Sequence, residues 1–351
     1  MKEKPPTARL EGTGRRSPGF ISQRVVSDGM LTGVLVPNDV DNLGAFASRA
    51  ESLGYDSVWT GELWGRDSFV ALTRAAEITD TVRLGTAIVN VYGRSPATIA
   101  QAAATLDEAA DGRLRLGLGT STQKVVEDLH AASFDRPARR LHETVELVTQ
   151  FLGDGGRVSY SGECYEVAEF PALGVDVPVY AAALGPATRR ATGRTADGWL
   201  PHNIPFDRIG EAFETIAATA REAGRDPDAI ATAPYVPAAV SDDPEAARDA
   251  IRAHLAYYVG SGEGYRRAVA GAFPDAADAV AEAWRNGDRD GARAVVTDEM
   301  IDSLGVAGRP AAAREQLASV GAVDRVDEPL VVVPDGTDEA MRRTTLEALA
   351  P

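Results

Sequence analysis

The sequence predicts an α/β fold of the (β/α)8, or TIM barrel, type, with an insertion after strand four and a helical insertion between strands seven and eight. Three observations lead there. Eight short β-type apolar runs alternate with helix-period segments. The 351 residues suffice for one large α/β domain, or two small ones, with a buried core. Several runs end in Gly, Asn or Thr, as expected where the C-terminal ends of parallel strands gather at a ligand-binding face.

Residues 1–29 are rich in Pro, Gly, Arg and Ser without a sustained period, and are expected to form a disordered extension before a barrel domain at 30–351. Met30 to Val36 reads as strand one. A helix follows from Asp41, with Leu43, Phe46, Ala47, Ala50 and Leu53 on one face and Gly54 as its stop. Asp56 to Thr60 is strand two, Ser68 to Thr79 helix two, Val82 to Val89 strand three, Pro96 to Ala110 helix three and Arg113 to Gly117 strand four. A long helix over Arg136 to Phe151 and a hairpin from Arg157, turning at Ser161-Gly162, then interrupt the alternation. It resumes with strand five (Val177 to Ala183), a helix from Pro186, strand six (Asp197 to Pro201) and a helix over Asp207 to Ala223. Ile230 to Val240 is strand seven despite Pro234 and Pro237, 244–320 is broken helix, and Pro329 to Val333 is strand eight before a closing helix from Asp338.

Composition narrows the function. With 52 Asp and Glu against 36 Lys and Arg, the net charge of −16 argues against nucleic-acid binding. Lysine stands only at positions 2, 4 and 124; a dispersed, lysine-poor acidic surface resembles that of proteins from salt-loving archaea and favours a halophile over the alternative, an ordinary acidic protein from a GC-rich genome. No apolar run approaches the roughly 20 residues of a membrane helix, and the N-terminal stretch lacks a signal-peptide core, so a cytoplasmic protein without membrane contact is expected. The single Cys164 leaves no intramolecular disulfide, and four scattered histidines make a metal site unexpected. His142 and His254 read as helix-surface residues.

The candidate chemistry lies at the strand ends. Gly119-Thr120-Ser121 and Gly185-Pro186-Ala187-Thr188 are candidate phosphate seats, because glycine admits close approach and a helix start presents free N–H groups. Neither is a P-loop or a GxGxxG fingerprint. Glu62 lies between Trp59 and Trp64; it is either a solvated loop carboxylate or a partly buried proton-transfer group. His202, at a strand end, and Trp64 are candidate substrate contacts.

Together, the run Leu84-Gly-Thr-Ala-Ile-Val-Asn90, the Arg94-Ser-Pro turn, Asp107-Glu108, Asp111-Gly-Arg113, Leu116-Gly-Leu-Gly119, Ala182-Ala-Leu-Gly-Pro186 and Ala196-Asp-Gly-Trp-Leu200 resemble the bacterial-luciferase-like superfamily. Within it they resemble oxidoreductases using the deazaflavin coenzyme F420, and look most like 5,10-methylenetetrahydromethanopterin reductase. The similarity covers roughly residues 30 to 203 and implies roles. A non-proline cis peptide behind the coenzyme ring would fall at Ala87–Ile88. Asn90 would contact the coenzyme, and Thr120, Ser121 and the segment Ala183, Leu184, Gly185, Pro186, Ala187 would hold its ring and phosphate-bearing tail. Glu62 would handle a proton or stabilise a cationic methylene substrate. Thr122 stands where the sugar-phosphate dehydrogenase branch carries a catalytic Glu, which argues against that substrate. The reaction implied is hydride transfer between F420 and a small acceptor, most simply methylenetetrahydromethanopterin or a related one-carbon pterin carrier, in a homo-oligomer (dimer or tetramer). An FMN-dependent monooxygenase and a non-catalytic flavin- or deazaflavin-binding protein are the alternatives.

Overall fold

A computed structural model describes residues 29–37, 42–63 and 65–351. The expectation for residues 1–29 therefore lies almost wholly outside the described residues, as does Trp64. The described chain alternates strand and helix: β1 (Gly33–Leu35), α1 (Leu43–Leu53), β2 (Ser57–Thr60), α2 (Ser68–Ala76), β3 (Arg83–Thr86) with its continuation β4 (Val89–Asn90), α3 (Pro96–Ala109) and β5 (Leu114–Gly119). A π-helical turn (Val125–Leu129) and α4 (Pro137–Leu152) lead into the antiparallel hairpin β6 (Arg157–Ser161) and β7 (Glu166–Pro171). Next come β8 (Val179–Ala181), α5 (Pro186–Thr195), β9 (Gly198–Trp199), α6 (Ile209–Glu222), β10 (Ala231–Thr232) and β11 (Tyr235–Val240). Helices α7 (Pro244–Ser261), α8 (Glu263–Ala270), α9 (Pro274–Arg285), α10 (Arg289–Val295) and α11 (Asp298–Leu304) precede β12 (Val306–Gly308), α12 (Pro310–Gly321), β13 (Leu330–Val332) and α13 (Glu339–Ala348).

Apart from the hairpin, all pairings are parallel, and the sheet curls in TIM-barrel fashion. Its order is β10-β9-β8-β5-β3-β2-β1-β13-β11-β12. Only Ala233 and Pro234 separate β10 from β11, so these are one strand interrupted at proline, and the order returns on itself. The amide of Ala233 donates to Trp199 O at 2.9 Å and that of Leu330 to Pro234 O at 2.8 Å, carrying the sheet across the break. Proline removes a donor and restricts its predecessor, which explains the interruption in the expected seventh strand. Strand β12, pairing with β11, was not anticipated within the helical stretch 244–320.

Residues alternate between two apolar layers, as strand geometry requires. Val58, Val179, Val236 and Val331 face the helices, whereas Trp59, Tyr180, Tyr235 and Leu330 fill the sheet's inner side. Trp59 and Tyr180 meet edge to face at 5.6 Å. Their bulk is accommodated by missing side chains, since a Cβ at Gly85 would overlap the Trp59 indole and one at Gly198 the Tyr180 ring. The Trp59 Nε1–H donates to Ser57 Oγ at 2.6 Å, and Ser57 in turn donates to the buried Glu328.

One motif of the resemblance, Asp111-Gly-Arg113, is structural, and a buried carboxylate outside it is structural as well. Asp111 and Gly112 take positive φ (49° and 77°), turning the chain so that Arg113 braces the strand starts through the carbonyls of Thr79 (2.8 Å) and Val82 (2.7 Å). The buried Glu143 of α4 accepts from the amides of Glu163 (2.8 Å), Cys164 (2.8 Å) and Tyr165 (3.2 Å), docking the hairpin tip. Among the described residues no helix is long and apolar enough to cross a membrane.

Candidate active site at the strand ends

The third strand does not run straight, and its bulge shapes the site. The Ala87–Ile88 peptide, expected to be cis, is trans; the chain turns instead by placing Ile88 at φ +91°. One residue in the left-handed region redirects a strand without the roughly 3–4 kcal/mol of a non-proline cis bond, although a β-branched side chain there is itself strained. Neighbouring residues are built around this bend. Thr86 Oγ1 accepts from Gly117 N at 2.7 Å and donates to Gly117 O at 2.9 Å, replacing ladder bonds lost where β3 ends. A Cβ at Gly117 would overlap the Thr86 carbonyl, and one at Gly119 would lie 2.7 Å from Ile88 Cδ1. The Gly117-Leu-Gly119 motif thus makes room for the bulge.

Past the bulge, Asn90 is buried. Its Oδ1 accepts from Tyr92 N at 2.9 Å, while its buried Nδ2 has no hydrogen-bond partner among the described residues. A donor so placed suits a ring carbonyl or nitrogen brought by a ligand. Beside it, Thr120 Oγ1 donates to Ser121 O at 3.2 Å and Ser121 adopts φ +56°. Ala183 is buried, and its carbonyl accepts from Trp199 Nε1 at 2.8 Å. Leu184 is half-buried, and Gly185, Pro186 and Ala187 are exposed. Gly185 caps α5 without a side-chain hydrogen bond, which leaves first-turn amides open to an anion.

Glu62 is clamped. Its Oε1 accepts from Ser68 N (3.1 Å), Ser68 Oγ (3.0 Å) and Arg94 Nη2 (2.9 Å), and its Oε2 from Arg94 Nη1 (2.8 Å). Arg94 Nη2 also reaches Asp67 at 2.5 Å, and the guanidinium lies 5.5 Å from the Phe69 ring centroid. Burial works against ionisation of Asp67, but the Val70 and Phe69 amides and Arg94 outweigh it and hold its carboxyl below the usual range. Glu62 is therefore a fixed acceptor. A groove beside it is lined by Val36, Leu43, Thr60, Gly61, Asp67 and Arg74.

His202 is buried, and so is His254, in contrast to the helix-surface position expected for the latter. The packing of α7 along the sheet, which the helical pattern of 244–320 does not reveal, brings His254 to 5.8 Å from the His202 ring centroid. Tyr235, Tyr258 and Tyr265 complete the cluster. Neither Arg94, quoted only as part of the Arg94-Ser-Pro turn, nor Tyr235 is among the site residues expected from sequence. Arg94 had the Arg-Ser-Pro turn as its signal, and Tyr235 the flanking prolines that break strand seven.

The luciferase-like monooxygenase family pattern matches residues 19–324. The chain belongs to that family. Among family relatives, 5,10-methylenetetrahydromethanopterin reductase of Archaeoglobus fulgidus is 33% identical, over 76% of this chain and 81% of its own. The enzyme of the same name from Methanolobus tindarius is 31% identical, over 78% of this chain and 85% of its own. The solved structure of the coenzyme F420-dependent tetrahydromethanopterin reductase of Methanopyrus kandleri superposes with a TM-score of 0.77 at 25% identity, covering 92% of this chain and 97% of that one.

Proposed function

We propose that the protein is an F420-dependent oxidoreductase, and that its acceptor is 5,10-methylenetetrahydromethanopterin or a related one-carbon pterin carrier. The observation that carries the cofactor reading is the buried, unpartnered Asn90 Nδ2 at the end of the bulged strand. Relatives named for F420 and for the methylene-bearing pterin support both halves of the reading. The residues fit such a group: an orphaned donor for its ring, a backbone bulge with glycine neighbours behind it, and an open helix start for a phosphate.

When bound, the deazaflavin supplies a hydride and, with carbon in place of a flavin ring nitrogen, does not trap dioxygen. The chain's own contribution is position and field. Asn90 Nδ2 would donate to the bound coenzyme, while its Oδ1 keeps the loop in place through Tyr92. The bulge at Ala87 and Ile88 would support the coenzyme ring, and Thr120, Ser121 and the start of α5 would hold its phosphate-bearing tail. Glu62, held by Arg94 and Ser68, presents negative charge near the acceptor and favours a cationic methylene form. The packed Trp59 and Tyr180 rings exclude water from below.

Titration of the purified protein with F420 and with FMN tests the proposal. Micromolar or tighter F420 binding, followed by oxidation of reduced F420 on adding methylenetetrahydromethanopterin, is expected. Tight FMN binding without F420 binding overturns the cofactor reading; F420 binding without turnover of the pterin overturns the substrate.

A further inference from the structure

His202 is the hub of an aromatic cluster at the ends of β9 and β11. Ring centroids of Tyr258, Tyr235, Tyr265 and His254 lie 4.4, 5.0, 5.3 and 5.8 Å from its own. His202 is 7% exposed and His254 8%. Three polar atoms of this cluster, His202 Nε2, His254 Nε2 and Tyr235 Oη, are buried without a hydrogen-bond partner among the described residues. Buried polar groups are normally hydrogen-bonded, and three unpartnered ones gathered around the single His202 ring mark a place where something else supplies the partner.

The cluster adjoins the coenzyme pocket. Tyr235 belongs to the same inner layer as Ala87, Ile88 and Ala182. Helix α8, which carries Tyr265, approaches Leu184 closely enough that a Cβ at Gly264 would sit 3.5 Å from Leu184 Cδ1. The chemistry of the occupant follows from the lining. Burial pushes His254 down to about 3 and His202 well below its ordinary value, so both imidazoles are neutral at physiological pH. Neutral imidazoles and a phenol offer hydrogen bonds with no charge to offset an ion's desolvation.

We propose that His202, His254 and Tyr235 form the acceptor subsite and hydrogen-bond an uncharged carbonyl oxygen of the substrate. The proposal rests on the redox reading above for the word acceptor, and on the buried unpartnered atoms for the subsite. Two sources share this chemistry: the lactam carbonyl of a pterin ring, and a simple ketone at the reacting position. Tyr235 and His202 are then specificity-determining residues. Tyr235 donates its phenolic proton to the oxygen, and His202 and His254 orient it.

Tyr235→Phe separates ligand binding from structure. In the protein alone, deleting an unsatisfied buried hydroxyl is expected to leave the melting temperature unchanged or raise it by a few degrees. In the F420-loaded enzyme, the KM for methylenetetrahydromethanopterin, or for acetone in a parallel arm, is expected to rise about tenfold, with the F420 Kd unchanged and kcat altered less. An effect confined to the pterin arm assigns the carbonyl to the lactam; one confined to acetone assigns it to the reacting ketone. A lower melting temperature with unchanged KM in both arms overturns the proposal by making Tyr235 structural. His202→Gln, which keeps hydrogen-bonding capacity, serves as a second variant, and its expected KM increase is smaller than that of His202→Phe; equal KM values for the two also overturn it. Should the protein fail to bind F420, calorimetric titration of the unloaded protein with the same two probes, wild type against Tyr235→Phe, still decides the subsite. Probe binding weakened by the variant then supports it, and unaltered or absent binding overturns it, independently of the cofactor reading.

Discussion

Arg94 holds the Glu62 carboxylate in a two-pronged grip, Nη1 to Oε2 at 2.8 Å and Nη2 to Oε1 at 2.9 Å. Both side chains are largely shielded, at 22% and 15% exposure, so the pair is neither freely solvated nor fully desolvated. A fork of this kind fixes the orientation of the carboxylate as well as its charge. It places a rigid anion at the end of β2, next to the strand-three bulge.

Glu62→Gln removes the charge and keeps the shape. We expect turnover to fall about 100-fold or more, the scale for losing an oriented electrostatic group, with little change in the F420 Kd. Arg94→Lys, which keeps charge but not the fork, is expected to fall between this variant and wild type. Steady-state kinetics beside fluorescence titration of F420 checks both, and unchanged turnover in Glu62→Gln removes Glu62 from the mechanism.

Asn90→Asp retains the oxygen that accepts from Tyr92 N and replaces the unpartnered Nδ2 donor by a second acceptor. The loop is expected to stay in place while F420 binds at least tenfold more weakly, about 1.4 kcal/mol. A matching Kd means that Asn90 does not face the coenzyme.

Gly117→Ala places a methyl group on the Thr86 carbonyl, which belongs to the backbone and cannot step aside cheaply. A loss of about 3 kcal/mol in urea unfolding is expected. Gly185→Ala, whose Cβ meets nothing within 4 Å, is expected to stay within about 0.5 kcal/mol of wild type.

The buried histidines set an acid limit on stability. Unfolded His254 titrates at its ordinary 6.5 and folded His254 at about 3, because burial disfavours its charged form. Above pH 6.5 both states are neutral and the full stability is present. As pH falls from 6.5 towards 3 the unfolded chain takes up a proton that the folded one refuses, and stability drops. Between pH 6.5 and 5 this amounts to about 2 kcal/mol for one such group. Urea midpoints at pH 8 and pH 5 are expected to differ less in His254→Phe than in wild type, His202 keeping part of the slope; an undiminished difference means that His254 is not the group responsible.

Much of this architecture is legible along the chain. Asn42, Asp67, Ser95 and Asp338 each accept from an amide three residues on and start their helices where local chemistry indicates. The alternation of Val58 with Trp59, and of Val179 with Tyr180, is likewise a local pattern with a tertiary meaning. The candidate site is less legible. Thr86, Gly117 and Ile88 are far apart in sequence, and their dependence on one another exists only once two strands pair. Nothing local distinguishes Gly117, which accommodates a carbonyl, from Gly185, which stands in open space.

By itself the sequence determined most of the run of strands and helices, though not β12, together with the loops that meet at one end and the family, because caps, turn residues and two-residue alternation act over a few neighbouring positions. Only the tertiary structure decided that Ala87–Ile88 bends in the trans form, that Glu62 is gripped by Arg94, and that His254 is buried beside His202. Each of these depends on contacts between residues tens of positions apart, whose energies no short window contains.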